Sequence, residues 1–440
     1  MLIEFTVGNY RSFRDPQTLS LVAAPLKSKD KRLDANNVIQ IEGQPDLLAS
    51  TTIYGANASG KSNLIDALRF MRDFVMNSQE GTRRTGGIDC EPFRLHATSA
   101  REPSHFEAVF IHDGLRYRYG FDVNSDRVVA EWLYMATSAR ESGLFKRDYD
   151  EISVGTRFRG GRQLTAQTRP NALFLSVAAQ FNSRTAEPIL EWFGNLGIVY
   201  GIDDFGLRLY SAMESEKAER LESIRRLVCR LDLGIADLKV EKLPRTTLHI
   251  PDSMPEDLAQ ALQPLQTFLD KSAVKMPVIR TIHTVYDDNG QPIDQQVFDL
   301  DKHESEGTRK LFALTGPILE TLEQGKVLVV DELDARLHPL MTREIVRLFN
   351  DRKTNPRGAQ LIFTTQDTNL LDNELLRRDQ IWFVEKDRYG ASRLYSLAEF
   401  KGVRNDLSYE RGYIEGRFGA IPYLNPNKLR ALFEDADDGA

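Results

Sequence analysis

Cysteine is almost missing: 440 residues hold two, Cys90 and Cys229. That excludes a disulfide scaffold and a cysteine-built zinc site. Long apolar runs are missing too, and none approaches the roughly 18 residues of a membrane span. The opening Met1-Leu2-Ile3-Glu4-Phe5 has no basic stretch followed by an apolar one. No secretory leader is therefore expected, and a cytoplasmic, reducing location is. Positive charge is not in excess: Lys plus Arg is 57 against 64 Asp plus Glu, a formal net charge of -7. A protein that coats nucleic acid non-specifically is excluded, whereas a local basic patch is not. There is no internal repeat, no low-complexity tract and no sustained heptad run, hence no long coiled coil. What the chain does have is core-forming material, 41% hydrophobic residues. Its length predicts two to three domains at about 150 residues each.

Patterning gives a coarse organisation. Leu2 to Val7 and Thr18 to Ala23 read as strands, and 25–46 as a polar loop. Leu48 to Tyr54 reads as a buried strand, and Lys61 to Met76 as an amphipathic helix. From Phe106 the period changes to two, predicting a hairpin that turns at Asp113-Gly114. Leu173 to Val177 is a short apolar run read as a strand. Residues 187–268 read as mostly helical, with a loop at Pro251 and Pro255. After Glu304, helix and strand alternate: helix 305–323, strand 327–330, helix 337–349, strand 361–364, helix 370–376, strand 381–384. Such alternation implies a mainly parallel sheet. The tail Glu434 to Asp438 is acidic.

Gly55-Ala56-Asn57-Ala58-Ser59-Gly60-Lys61-Ser62 fits G-x-x-x-x-G-K-[ST] in full. It follows an apolar strand and precedes an amphipathic helix, the context a phosphate-binding loop requires. Small residues such as Gly55 and Gly60 let backbone N–H groups wrap a phosphate. The helix N-terminus points its positive end at the same anion. Lys61 supplies a charge to the β- and γ-phosphates, and the Ser62 hydroxyl can ligate Mg²⁺. A chance glycine turn is the plain alternative; the intact octapeptide with both flanks argues against it.

A second feature is Val327-Leu328-Val329-Val330-Asp331-Glu332, an apolar strand ending in two acids. Two charges there are costly unless a cation sits nearby. Asp331 is placed to hold Mg²⁺, and Glu332 to polarise the attacking water. An ordinary helix cap after a strand is the alternative. In Glu304-Ser305-Glu306-Gly307-Thr308 a helix start with the Ser305 hydroxyl and Gly307 amide makes an anion site; a plain capped helix is the alternative.

Several motifs together resemble the ABC-type ATPase clan that contains SMC proteins and RecF. Asn9-Tyr10-Arg11-Ser12-Phe13 looks like the clan's N-terminal motif, whose basic residue, here Arg11, approaches the nucleotide. Ser305, Gly307 and Thr308 fall in a segment similar to the signature motif, which acts on the γ-phosphate held by the partner subunit. Asp334-Ala335-Arg336-Leu337-His338-Pro339 resembles the D-loop, with His338 read as a helix-start residue. Gln366, in Thr364-Thr365-Gln366-Asp367, stands where a switch His is usual. The resemblance also implies a magnesium-contacting Gln between phosphate loop and signature, for which Gln180 is the candidate, and it places Asn57 and Asn63 at the nucleotide. Two residues depart from the pattern. Glu306 replaces a Gly and is expected to turn toward Arg309 or Lys310. Gln366 cannot become cationic, which predicts slow turnover.

Within the clan the chain resembles stand-alone bacterial ATPases of the RloA/AbiL type, often grouped under AAA, which include the ATPase of the PARIS system. Asn9–Phe13, Gly55–Asn63, Asp331–Pro339, Thr364–Leu371 and a closing stretch from Tyr409 to Pro422 carry this likeness. It implies an α/β ABC-type ATPase head with a mixed central sheet, an antiparallel β layer and a mainly helical middle insertion. The expected division is 1–180, 181–300, 301–425 and an acidic tail, 426–440. It further implies ATP and Mg²⁺ as cofactors, a homodimer or higher homo-oligomer, and a separately encoded nuclease effector in anti-phage defence. Nucleic acid is compatible as a partner; a membrane is not expected. Two other classes stay open: a RecF-like DNA repair ATPase and a low-turnover nucleotide-binding scaffold.

Overall fold

A computed structural model describes residues 1–80, 87–137, 140–201, 205–231, 234–244, 275–403 and 407–422. Pro251, Pro255 and the acidic tail lie outside these residues. The chain divides into two compact units. One comprises Met1–Val199, Gln324–Asp334 and Ile345–Ala440; the other comprises Tyr200–Glu323 and Ala335–Glu344.

Two sheets build the first unit. The antiparallel one has seven strands in the order β10-β9-β8-β7-β6-β1-β2. These are β1 (Leu2–Gly8), β2 (Gln17–Ser20), β6 (Ser104–His112), β7 (Leu115–Val123), β8 (Val128–Ala136), β9 (Glu141–Asp148) and β10 (Glu151–Val154). The β6–β7 hairpin turns at Asp113-Gly114, both at positive φ, the twist-matched geometry that two-residue loops favour. Along β7, Tyr117, Tyr119 and Phe121 are buried while Arg116 and Arg118 alternate outward. Arg118 pairs with Glu107 and Glu141, so the basic–aromatic interleaving there is two-face alternation.

The six-stranded sheet runs β11-β15-β16-β5-β17-β18. Its members are β5 (Ser50–Tyr54), β11 (Leu196–Tyr200), β15 (Val327–Asp331), β16 (Gln360–Thr364), β17 (Ile381–Lys386) and β18 (Ser392–Ser396). The strands β15, β16, β5 and β17 pair in parallel. All residues of β5, β15 and β16 are buried, as expected of parallel strands covered on both faces. The helix Lys61–Asn77 buries Leu64, Leu68, Met71 and Val75 in one core with Phe106, Phe110, Phe121 and Val329. Each such side chain contributes about 1.5–3 kcal/mol on leaving water. A small pair, β3 (Val38–Ile39) with β4 (Leu47–Leu48), completes the unit.

In the second unit, the helices Phe205–Glu214, Ala218–Leu231 and Glu306–Gln324 accompany a three-stranded sheet, β12 (Asp237–Pro244), β13 (Lys275–Tyr286) and β14 (Pro292–Asp299). Ile224, Val228, Leu238, Ile279 and Phe312 form its core. The expectation of mostly helical structure over 187–268 misses β12, and with it this sheet. Its outer strand β14 is exposed along most of its length, so it lacks the apolar alternation that marks a strand.

Three local expectations fail for identifiable reasons. The run Leu173–Val177 is not a strand but part of the helix Phe174–Gln180. A short apolar run buried on all sides carries no period, so neighbours decide. Here the decisive neighbour is Glu131, fully buried, whose carboxylate accepts from the amides of Phe174 at 2.7 Å and Leu175 at 3.0 Å. The polar stretch 25–46 contains a helix, Lys31–Asn37, capped by Asp30. Instead of a helix, 370–376 forms turns: Asp372 accepts from the Glu374 amide at 2.8 Å, a side-chain bond that competes with helical pairing.

Burial pushes the Glu131 carboxyl pKa up, while Arg147 and the two amides pull it down. Arg147 is 1% exposed and lies 3.9 Å from Glu131. It also donates to Ala172 O at 2.7 Å and Tyr149 O at 2.7 Å. Removing the carboxylate strands a buried guanidinium and two helix amides. Glu131→Ala is expected to cost about 3–5 kcal/mol in urea unfolding; a loss under about 1 kcal/mol would show that the network is incidental.

Candidate functional site

In a parallel sheet, ligands collect outside the carboxyl ends of the strands. At that edge β5 runs into the phosphate loop, β15 ends at Asp331, and β16, lying between them, ends at Thr364. The predicted loop and acid pair therefore reach the same edge.

The loop is shaped by backbone conformation and by serines. Ala58 has φ 60 and Gly60 has φ 117, a region that glycine enters freely and other residues at a cost. A Cβ at Gly60 would collide with Ser392 Oγ and, at 2.7 Å, with Ser12 Oγ; one at Gly55 would strike Val384 O. Ser392 Oγ donates to Ser59 O at 2.5 Å and lies 2.8 Å from Ser12 Oγ. Asn63 Nδ2 donates to Ser12 Oγ at 2.7 Å. Asn63 thus braces the loop. Ser392 carried no signal in the sequence, since it stands alone on β18. Asn57 and Ser62 are exposed, Ser62 on the helix's first turn.

Lys61 is buried, and its ammonium donates to Gly55 O at 2.7 Å and Ala56 O at 3.2 Å. Burial pulls its pKa below the ordinary lysine value, while Asp331, Glu332 and Asp334 push it back up. The acid pair is fixed by Thr364, which in sequence is no more than part of the switch motif. Its Oγ1 accepts from the Glu332 amide at 2.7 Å and donates to Asp331 Oδ1 at 2.5 Å. Glu332 stands at φ 54, a left-handed backbone that costs a non-glycine residue of order 1–3 kcal/mol and clusters at functional sites. Asp334 Oδ2 accepts from the Gln366 amide at 3.3 Å.

A cavity of about 830 Å³ adjoins the phosphate loop, and neither Lys61 nor the acid pair is among its lining residues. Gly55 to Ser59 line it, with Gln366, the end of β17 at Glu385 and Lys386, and Tyr413, Ile421 and Pro422. The closing stretch thus borders the phosphate loop. Tyr413 stacks on Phe383 with centroids 5.5 Å apart and donates to Ala420 O at 3.1 Å. The size lies in the range of small-ligand sites.

Other candidates lie elsewhere. Arg11 pairs with Asp66, and with Glu91 at 3.8 Å. It lines a second cavity of about 710 Å³, floored by Phe70 and Phe74. Gln180 is exposed at a helix end and does not line the loop's cavity.

In the second unit, Ser305 caps the helix Glu306–Gln324, its Oγ accepting from the Thr308 amide at 3.1 Å. Glu306 turns to Arg336 at 3.4 Å, not to Arg309 or Lys310: Arg309 donates to Asp301 O at 3.2 Å, and buried Lys310 donates to Gly201 O. A Cβ at Gly307 would lie 2.9 Å from Arg336 O, so this position keeps a glycine beside the D-loop. His338 Nδ1 accepts from the Leu340 amide at 3.2 Å, the helix-start role expected.

Two observations fit the first unit's site to a magnesium–nucleotide complex. Gly55 and Gly60 pack so closely on Val384, Ser392 and Ser12 that neither has room for a Cβ, which fixes the turn of the phosphate loop. Ser59 Oγ and Asp334 Oδ1 are buried polar atoms with no hydrogen-bond partner. Among the described residues, no three His, Cys, Asp or Glu side chains gather to hold a metal by themselves. Mg²⁺ commonly takes one or two carboxylates and completes its shell with phosphates and water.

A family profile described as "AAA domain, putative AbiEii toxin, Type IV TA system" matches residues 50–372. The chain belongs to this AAA-domain family. The matched span holds the phosphate loop, the acidic strand and Gln366, and the domain is a P-loop ATPase domain. No curated protein matches the sequence significantly. Similar solved structures include an SMC head bound to the C-winged helix domain of ScpA, at 15% identity over 90% of this chain and 97% of that one, TM-score 0.44. The SMC head domain from Thermotoga maritima gives 15% over 90% and 98%, TM-score 0.40. CbiO1 from Clostridium perfringens, part of an ABC transporter complex, gives 14% over 82% and 84%, TM-score 0.25. Likeness this distant is too weak to transfer a partner or an activity. Among the described residues no helix of the AAA domain is long and apolar enough to cross a membrane.

Gly60→Ala tests the cradle. The expected result is at least a tenfold loss of ATP affinity by calorimetry, with destabilisation held to about 1–3 kcal/mol of backbone strain. Unchanged affinity would mean that phosphates do not approach the loop here.

Proposed function

We propose that this AAA-family ATPase binds and slowly hydrolyses Mg-ATP, that two copies close around two nucleotides, and that the cycle regulates a separately encoded nuclease in anti-phage defence. One observation carries the nucleotide part: the phosphate loop, Gln366 and the closing stretch line one cavity, while Thr364 ties Asp331 and Glu332 to the same sheet edge.

Each residue then has a task. Backbone amides of Gly55 to Gly60 cradle phosphate oxygens, with Asn57 at the loop's tip. Lys61 exchanges loop carbonyls for the β- and γ-phosphates. Ser62 and Asp331 would hold magnesium, which when bound neutralises phosphate charge. Glu332 accepts a proton from the water that attacks the γ-phosphate. Gln366 can orient that water but cannot supply positive charge, which supports slow turnover. Arg11 would reach a phosphate only by giving up Asp66, and Gln180 has no part.

Ser305, Gly307 and Thr308 are proposed to act from the partner copy. Ser305 stands at a helix start, where oriented amides favour an anion. The matching family's description, "putative AbiEii toxin, Type IV TA system", supports the defence reading.

Lys61→Ala is expected to abolish ATP binding; retained micromolar affinity, about -8 kcal/mol, would refute the site assignment. Light scattering on Glu332→Gln, with and without Mg-ATP, tests closure. A mass increase that needs nucleotide is the expected result. The same mass in both conditions would sink nucleotide-gated assembly.

A further inference from the structure

One long stretch contains no acid. Between Glu151 and Glu187 there is no Asp or Glu, while Arg157, Arg159, Arg162, Arg169 and Arg184 occur there. In a chain of net charge -7 this is a marked segregation. Three arginines on or next to the antiparallel sheet are, by contrast, paired with acids: Arg118 with Glu107 and Glu141, Arg127 with Asp150, and Arg147 with Glu131.

The first three arginines sit on a loop with a rigid anchor. Phe158 is 2% exposed, packing edge-on against Phe145 and tilted against Phe174, both at 5.6 Å. Arg157 and Arg159 flank this buried ring and are exposed. Gly160, at φ 77, turns the chain, and a Cβ on Gly161 would lie 2.6 Å from the Phe158 ring. Arg162 is exposed where the short 3-10 helix Arg162–Gln167 begins. Arg157 Nη1 donates to Ser142 Oγ at 3.2 Å. No ion pair involves any of the three among the described residues. Arg169 is committed elsewhere, donating to Gln79 O at 2.8 Å.

The helix Phe174–Gln180 starts against this loop, since Phe174 touches Phe158. Its far end lies about 10 Å further on, at roughly 1.5 Å per residue. There the chain turns at Asn182, φ 58, and leaves Phe181 55% exposed, with Gln180 and Arg184 also exposed. Phe181 is thus an exposed aromatic ring with an exposed arginine three residues further on.

We propose that the Arg157–Arg162 loop and the Phe181 turn form a docking surface for a nucleic-acid strand. The arginines would take phosphates, with exposed Gln163 adding a neutral donor, and Phe181 would stack on a base. Phosphates at single-residue arginines fix a strand without reading its sequence, and aromatic stacking is likewise sequence-tolerant. An acidic protein would use the arginines but has no need of the ring. None of these residues lines the cavity beside the phosphate loop.

Fluorescence anisotropy of the full chain with a labelled single strand, titrated with salt, tests this. The triple substitution R157A/R159A/R162A should weaken binding and lower the slope of log affinity against log salt by about 0.7 for each phosphate no longer neutralised. Phe181→Ala should weaken single-strand binding on the order of tenfold, with little change in that slope. Circular dichroism and melting controls, together with R157K/R159K/R162K, separate the effect of charge from that of folding: the lysine variant should retain most of the slope. Failure of the wild-type chain to bind the strand would overturn the proposal. So would binding of the triple variant with an unchanged slope, or wild-type binding of polyglutamate with no effect of Phe181→Ala on the single strand.

Discussion

Parallel pairing of β15, β16 and β5 is the constraint on which the candidate site depends. Parallel neighbours point their carboxyl ends the same way, so whatever follows each strand emerges at one edge. Val330 pairs with Phe363, and Thr364 with Ile53. That register sets Thr364 beside both Asp331 and the last residues before the phosphate loop. A one-residue slip would turn every side chain over. The Thr364 hydroxyl would then leave the acid pair, and Asp331 would carry its charge at a buried position without that donor.

The second constraint is the serine brace on the loop. Ser12 follows β1, Ser392 opens β18, and Asn63 stands on the first turn of the helix Lys61–Asn77. Their hydrogen bonds join the two sheets of the first unit at one point. Gly60 makes this possible, because any side chain there would occupy the space of the two hydroxyls. The loop's shape is therefore set partly by residues remote in sequence. A phosphate cradle held this way keeps its amides oriented without reorganising when an anion arrives, which is the condition under which preorganised dipoles are most effective.

Much of the candidate site's layout was legible because its motifs are local. The octapeptide Gly55 to Ser62 and the acids after an apolar strand are contiguous, and contiguity is what a single sequence displays. Fold class was legible for the same reason, through periods of two and 3.6. Ser392 and the bridging role of Thr364 were not legible, since each depends on which strand lies beside which. The Phe174–Gln180 helix was missed because its deciding partner, Glu131, stands on another strand. Arg11 and Gln180 were assigned by motif position alone, and their surroundings hold Arg11 on Asp66 and leave Gln180 at an exposed helix end.

Charge accounting within the first unit bears on the composite-site proposal. Lys61 brings one positive charge toward the phosphates, while Asp331, Glu332 and Asp334 stand close enough to raise its pKa. Lys386 and Glu385, at the cavity's other side, cancel each other. Taken alone, this edge is net negative, and a polyphosphate would be repelled from it. Backbone amides offset part of that, but their partial charges sum to only about half an elementary charge at a helix start. Tight binding then needs positive potential from outside the unit. A divalent ion, if held by Asp331, would convert the nearest carboxylate from a repulsive group into a ligand. A helix start such as the one Ser305 caps would supply more, and only while the γ-phosphate remains to attract it. The same negative edge that disfavours nucleotide binding by a lone copy would therefore make closure depend on an intact triphosphate.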